Sequence, residues 1–219
     1  MKQQVVVVGL GQFGMTVART LAERGVEVLA ADSREDRVRA LSNHVAEALC
    51  FDATDQASLA RISPDRRDAC ICAIGDEARE ASIVCTALLR QLGAPRVIAR
   101  ANDELHARIL KLVGAHEVVN PEHDFGERFA SSVLHRGVIG EMVIGGGLVV
   151  TELVAPAAFT GHDLASLKLP HRHGITVVAL RRKSSGEMLL PAADTRVEDD
   201  DVLVVVGREG AAARLLERS

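Results

Sequence analysis

Val5-Val6-Val7-Val8-Gly9-Leu10-Gly11-Gln12-Phe13-Gly14 is the stretch that decides the fold of this chain. Four consecutive valines with no polar residue among them suit a short strand covered on both faces. Gly9, Gly11 and Gly14 form a G-x-G-x-x-G run that follows this strand and opens a helix, the context in which such a run carries meaning. Gly9 permits the tight turn, Gly11 lets phosphate oxygens approach the backbone, and Gly14 lets helix and strand pack closely. Unpaired N–H groups at the helix start, at the positive end of its dipole, then hold the anion. The alternative is a sheet whose glycines serve packing alone.

Outward from this stretch, β-branched runs alternate with helical ones as far as residue 120. A helix is predicted over Phe13–Arg24, closed by Gly25, then a strand over Val26–Ala31 that ends at Asp32. A helix over Arg34–Ser42, a strand over Ala46–Phe51, a helix after Thr54 and a strand over Ala69–Ile74 follow. Glu77–Leu92 reads as a helix, Arg96–Ala99 as a strand, Asp103–Val113 as a helix and Glu117–Val119 as the last short strand. Six β units in this order predict a doubly wound, Rossmann-type parallel sheet of the α/β class. Around Pro121 the pattern changes, and one linking helix is predicted over Glu122–His135. Gly137, Gly140 and Gly145-Gly146-Gly147 then break up the chain. Strands at Leu148–Val154, Ile175–Arg181, Met188–Leu190 and Val202–Val206, with short helices at Asp163–Leu167 and Gly210–Arg218, predict a small α+β module. The tight turn at Ser184-Ser185-Gly186 implies antiparallel pairing there. The expected division is a nucleotide-binding domain over 1–121, a linker over 122–136 and the α+β domain over 137–219.

Composition narrows the function. With 47% hydrophobic residues the 219-residue chain has ample material for packed cores. A formal charge of −4, with Lys and Arg spread along the chain, argues against nucleic acid as the main partner. No apolar run approaches the roughly 18 residues that cross a bilayer, and the amino terminus leads straight into a strand. The expectation is a cytoplasmic protein without a signal peptide. Cys50, Cys70, Cys72 and Cys85 fit that compartment as buried, reduced thiols. A metal pair at Cys70 and Cys72 would need further ligands at recognisable spacing.

Asp32 ends the second strand 18 residues beyond Gly14, where a carboxylate accepts hydrogen bonds from both ribose hydroxyls. It would repel a 2′-phosphate, which disfavours NADP despite Arg34 nearby. Ser33 joins it in the candidate site. Asp52, in Asp52-Ala53-Thr54, either meets the adenine amino group or caps the next helix. Ala73-Ile74-Gly75 ends the fourth strand with small residues that let a flat ring pass. Arg100 ends the fifth, as a cation for phosphate or as an ordinary surface ion pair.

Nothing comparable points to catalysis. The chain has no tyrosine, which removes the Tyr-x-x-x-Lys pair of short-chain dehydrogenases. It has no Walker A motif, nucleophile elbow or His-Glu-x-x-His either. His171-Arg172-His173 sits in a predicted loop without nearby acids, as a solvated loop or, less in keeping with its surroundings, a metal site. The nucleotide is therefore read as a signal and the protein as no enzyme. A soluble NAD-dependent oxidoreductase and a free nucleotide sensor of another membrane partner are the alternatives.

Together these residues resemble the RCK (KTN, TrkA-type) family, cytosolic regulatory subunits of Trk/Ktr potassium uptake systems, and lie closest to the Ktr type. Val8–Gly14, Asp32, Asp52-Ala53-Thr54, Ala73-Ile74-Gly75, Val97–Ala101, Gly114-Ala115 and Val118–Glu122 match the amino-terminal pattern. His173–Leu180 and Asp201–Gly207 resemble the carboxy-terminal domain. The resemblance implies homodimers assembled into an octameric ring beneath a membrane-embedded potassium translocating subunit. It implies ATP or ADP at Gly9–Gly14 and Asp32, or NAD(H) as in some relatives, with the ligand setting the ring's shape. Glu122 follows, by resemblance, as a ligand of Mg2+ or another cation near the phosphates at the dimer interface, whereas its chemistry alone favours a first-turn acid that stabilises a helix amino end. Gln12 departs from the Arg that Ktr-type members often carry there to reach a terminal phosphate. Cyclic di-AMP at the carboxy-terminal domain, with Arg172 as a contact, is a further implied ligand.

Overall fold

The computed structural model describes residues 2–75, 78–134 and 137–216. Two compact units divide the chain, residues 1–122 and 123–219.

The first unit is built from β1 (Gln4–Val8), α1 (Gln12–Glu23), β2 (Glu27–Asp32), α2 (Glu35–Leu41), β3 (Glu47–Cys50), α3 (Gln56–Arg61), β4 (Ala69–Cys72), α4 (Arg79–Gln91), β5 (Val97–Arg100), α5 (Glu104–Leu112) and β6 (Glu117–Val119). The strands form one sheet in the order β3-β2-β1-β4-β5-β6, every neighbouring pair parallel. This is the doubly wound arrangement expected from the sequence. The valine run explains itself here, because side chains alternate across a strand. Val6 and Val8 join one core with Leu29, Leu59, Cys70, Cys72, Leu89, Val97 and Leu110. Val5 and Val7 join the core on the opposite face, with Leu10, Ala18, Val28 and Leu41. Both faces of β1 are dry from Val5 to Val8, and its one polar residue, Gln4, stands at the partly exposed start of the strand.

Asp55 and Asp103 start two of the helices by accepting backbone hydrogen bonds from Ala57 and Ser58 and from His106. Cys50 departs from the expectation of four buried thiols: it is exposed, because β3 is the edge of the sheet.

α6 (Pro121–Leu134) begins in the first unit and continues into the second. The second unit holds β7 (Val138–Gly145), β8 (Leu148–Val154), α7 (Leu164–Leu167), α8 (Leu169–His173), β9 (Ile175–Arg181), β10 (Met188–Leu189), β11 (Val202–Arg208) and α9 (Ala211–Leu216). Its sheet runs β10-β9-β11-β8-β7, all antiparallel. Two expectations are corrected. Residues 138–145, read as broken by glycines, form a strand, since Gly140 and Gly145 fall where the pairing with β8 shifts register. Gly145, Gly146 and Gly147, all at positive φ, close that hairpin. His171-Arg172-His173 lies in a short helix stopped by Gly174 at φ 66°, and not in a loop. Leu153, Leu180, Leu203 and Leu215 are fully buried in this unit's core. Leu203→Ala is expected to cost about 2–5 kcal/mol, the range for a buried leucine that leaves a cavity, read from urea denaturation.

Candidate functional site

The carboxyl ends of five strands in the first unit surround a cavity of about 510 Å³. It lies at the point where the strand order reverses, between β1 and β4, the usual ligand position in such sheets. Val8, Gly9, Gly11, Asp32, Ser33, Asp52, Ala53, Ala73, Ile74, Gly75 and Arg100 line it. The structure thus brings most of the sequence-selected residues together. Gln12, Phe13, Gly14 and Thr54 are not in its wall, and their parts are indirect. Gly14 packs beneath the loop, where an added Cβ would stand 1.8 Å from the Gly9 carbonyl oxygen. Gly9, at φ 93°, faces the Ile74 backbone nitrogen, 2.8 Å from where a Cβ would lie.

Asp32 is only 6% exposed. Its Oδ2 accepts from the Leu10 amide at 2.6 Å and its Oδ1 from the Arg34 amide at 2.8 Å. Arg37 Nη1 approaches Oδ2 at 3.4 Å. The carboxylate therefore ties the phosphate loop to the turn after β2, and a carboxylate has acceptor capacity beyond these contacts. Asp52 does not cap the next helix, whose N-cap is Asp55; its Oδ1 accepts from both the amide and the hydroxyl of Thr54 at 2.8 Å, closing a turn two residues long. It still faces the cavity. Arg34, Arg37, Ala78 and Ala81 also line the wall, and the sequence reading did not place them there. Arg37 sits inside α2, one turn past the acidic residue, and nothing in its spacing marks it.

Arg100 is neither solvated nor free. Its side chain is 12% exposed, its Nη2 donates to Glu122 Oε1 at 2.6 Å, and its guanidinium carbon lies 5.8 Å from the Phe13 ring centroid. Its buried Nε has no hydrogen-bond partner among the described residues.

Cys70, Cys72 and Cys85 are built into the core. Burial pushes the Cys70 thiol up to about 12. The hydrogen bond with Cys72, together with burial, raises the Cys85 thiol well above its ordinary value. Cys70 and Cys85 therefore stay protonated at neutral pH, while the same hydrogen bond draws the Cys72 thiol below its ordinary value. Among the described residues no helix is long and apolar enough to cross a membrane.

Residues 5–121 match the TrkA-N domain family and residues 148–219 the TrkA-C domain family. The chain belongs to the TrkA family. It is 34% identical over 217 residues to the Ktr system potassium uptake protein A of Vibrio alginolyticus, a match covering 98% of this chain and 97% of that one. It is 31% identical over 218 residues to the Ktr system potassium uptake protein C of Bacillus subtilis (strain 168), covering 100% and 98%. The RCK, Ktr-type resemblance drawn from the motifs stands on these matches. Among solved structures, the GsuK channel bound to NAD is similar with a TM-score of 0.69 at 19% identity. That likeness covers 99% of this chain but only 39% of the channel chain, and it concerns the fold.

In this TrkA-family chain Glu122 lies against Arg100. Among the described residues no group of three or more His, Cys, Asp or Glu is placed to hold a metal ion. The Glu122 carboxylate is engaged by that guanidinium. Arg172, the contact implied for cyclic di-AMP, is exposed on α8.

Proposed function

We propose that this chain is a nucleotide-sensing regulatory subunit of a bacterial potassium transporter, holding an adenine nucleotide at Gly9–Gly14 and Asp32 as a signal and not as a substrate. The observation that carries the reading is Gly11. Its backbone, at φ −66° and ψ −174°, is one that any residue adopts. A Cβ there would meet nothing within 4 Å, and the residue opens onto the cavity. Neither conformation nor packing asks for glycine at this position. A phosphate lying against the amides of the helix start does.

The family membership and the names of the Ktr relatives support the potassium system as the context. On this reading the chain works at the cytoplasmic face of the membrane through a membrane-embedded translocating partner, as homodimers assembled into an octameric ring. ATP and ADP are the preferred ligands, with NAD(H) second. Ligand control then requires only that one ring shape bind the nucleotide more tightly than the other. A coupling of about 1–3 kcal/mol is typical of such control.

Calorimetric titration with ATP, ADP, NAD and NADH, with and without magnesium, tests the site. The chain is expected to bind ATP and ADP, and Gly11→Val to keep its melting temperature while losing that binding. Failure of the unaltered chain to bind any of the four removes the sensing function. Light scattering tests the assembly: a large even-numbered oligomer is expected, and a monomer insensitive to nucleotide counts against the ring.

A further inference from the structure

Among the described residues three guanidiniums line the cavity, and they fall into two groups. Arg34 and Arg37 stand by Asp32, at the ribose end, with Arg34 paired to Asp36 at 2.6 Å and Arg37 approaching Asp32. Arg100 stands alone beside the phosphate loop, over Phe13 and against Gly75, where its Nη1 is 3.0 Å from the place of an added Cβ. Gln12, within the loop itself, brings no charge. Among the described residues of the cavity wall, the positive charge nearest the phosphate loop is therefore Arg100.

That charge is already neutralised by Glu122, and unequally. The Arg100 side chain is 12% exposed and Glu122 is 59% exposed. Water reaches the carboxylate easily, so its release costs little, while the guanidinium stays in the cavity wall with an unpartnered Nε. A polyphosphate brings more negative charge than one carboxylate and several acceptor oxygens. It is also held independently by the amides of the loop.

We propose that Arg100 reads the phosphate end of the ligand and that Glu122 is its competitor within the chain: phosphate binds by taking the guanidinium from the carboxylate. This rests on the nucleotide reading above. Glu122 sits in the first turn of α6, so the exchange also releases the start of that helix from the end of β5. The consequence for affinity has the opposite sign to that of a cation ligand. Losing Glu122 should help phosphate binding when no divalent ion is present.

The test is calorimetry on the full chain in EDTA, with ATP, inorganic tripolyphosphate and adenosine as probes. Glu122→Gln is expected to tighten ATP and tripolyphosphate binding about two- to fivefold, the scale of a partly exposed ion pair, and to leave adenosine unchanged. Arg100→Gln is expected to weaken ATP about tenfold or more, since a charge-assisted contact is lost. In the double variant the gain from Glu122→Gln should vanish, because the two residues act through one contact. Unchanged or weaker ATP binding by Glu122→Gln overturns the proposal, as does a gain that persists without Arg100. Glu122 is half-exposed, so its variant decides the matter even if Arg100→Gln fails to fold. An unaltered chain that binds neither ATP nor ADP is a different result, and it removes the nucleotide reading itself.

Discussion

Gly14→Ala is expected to unsettle the whole first unit and to abolish nucleotide binding together with it. The new methyl would sit 1.8 Å from the Gly9 carbonyl oxygen and 3.1 Å from the Ala73 Cβ. The first of these neighbours is backbone and cannot swing aside. Gly9 in turn cannot retreat, since it is held at φ 93° against the Ile74 amide and its own N–H donates to the Ala31 carbonyl at 2.8 Å. Relief has to come from separating α1 from β1, which opens the core containing Val5, Val7 and Ala18. Overpacking of this kind costs about 3 kcal/mol. In a unit of this size that lowers the melting temperature by about 10 °C. A thermal melt followed by circular dichroism reads it directly. A variant with native melting behaviour would mean that the loop has slack which these distances deny.

Asp32→Ala is expected to weaken ATP and ADP binding about 10- to 100-fold while leaving a folded protein. The ribose loses a charged acceptor, and one hydrogen bond to a charged group is worth about 1.5–3 kcal/mol, roughly the loss expected here. The substitution also strips the buried Leu10 amide of its acceptor at 2.6 Å. That adds a stability loss of about 1–3 kcal/mol, which urea denaturation separates from the binding effect. Asp32→Asn keeps an acceptor oxygen in place and loses the charge, so it should recover stability more fully than affinity. Unchanged calorimetric affinity in the alanine variant would remove Asp32 from ribose recognition and leave it a fastener of the phosphate loop.

The candidate site was legible where a residue's type is dictated by backbone or by chemistry. Glycines at 9, 11 and 14 and an acid at the end of β2 are such positions, and the cavity forms around three of these four. Arg37, Ala78 and Ala81 were not legible, because their residue types are ordinary helix content. Only the winding of α2 and α4 above the sheet turns them inward. The pairing of Glu122 with Arg100 was not legible either, since the fold sets that carboxylate on a guanidinium 22 positions earlier in the chain. Strand β7 was missed for a related reason. Glycine depresses the local preference for strand, and pairing with β8 across a hairpin restored it.

The sequence by itself determined the alternation of strands and helices, the parallel sheet and the place where it receives an anion. Those follow from side-chain periodicity and from glycine's missing Cβ, which are local properties of the chain. Only the tertiary structure decided which charges meet. Arg100 with Glu122, and Asp32 with Leu10 and Arg34, are contacts set by strand order and by the reach of side chains across the sheet's carboxyl edge, and electrostatic partners chosen through space leave no periodic mark along a chain.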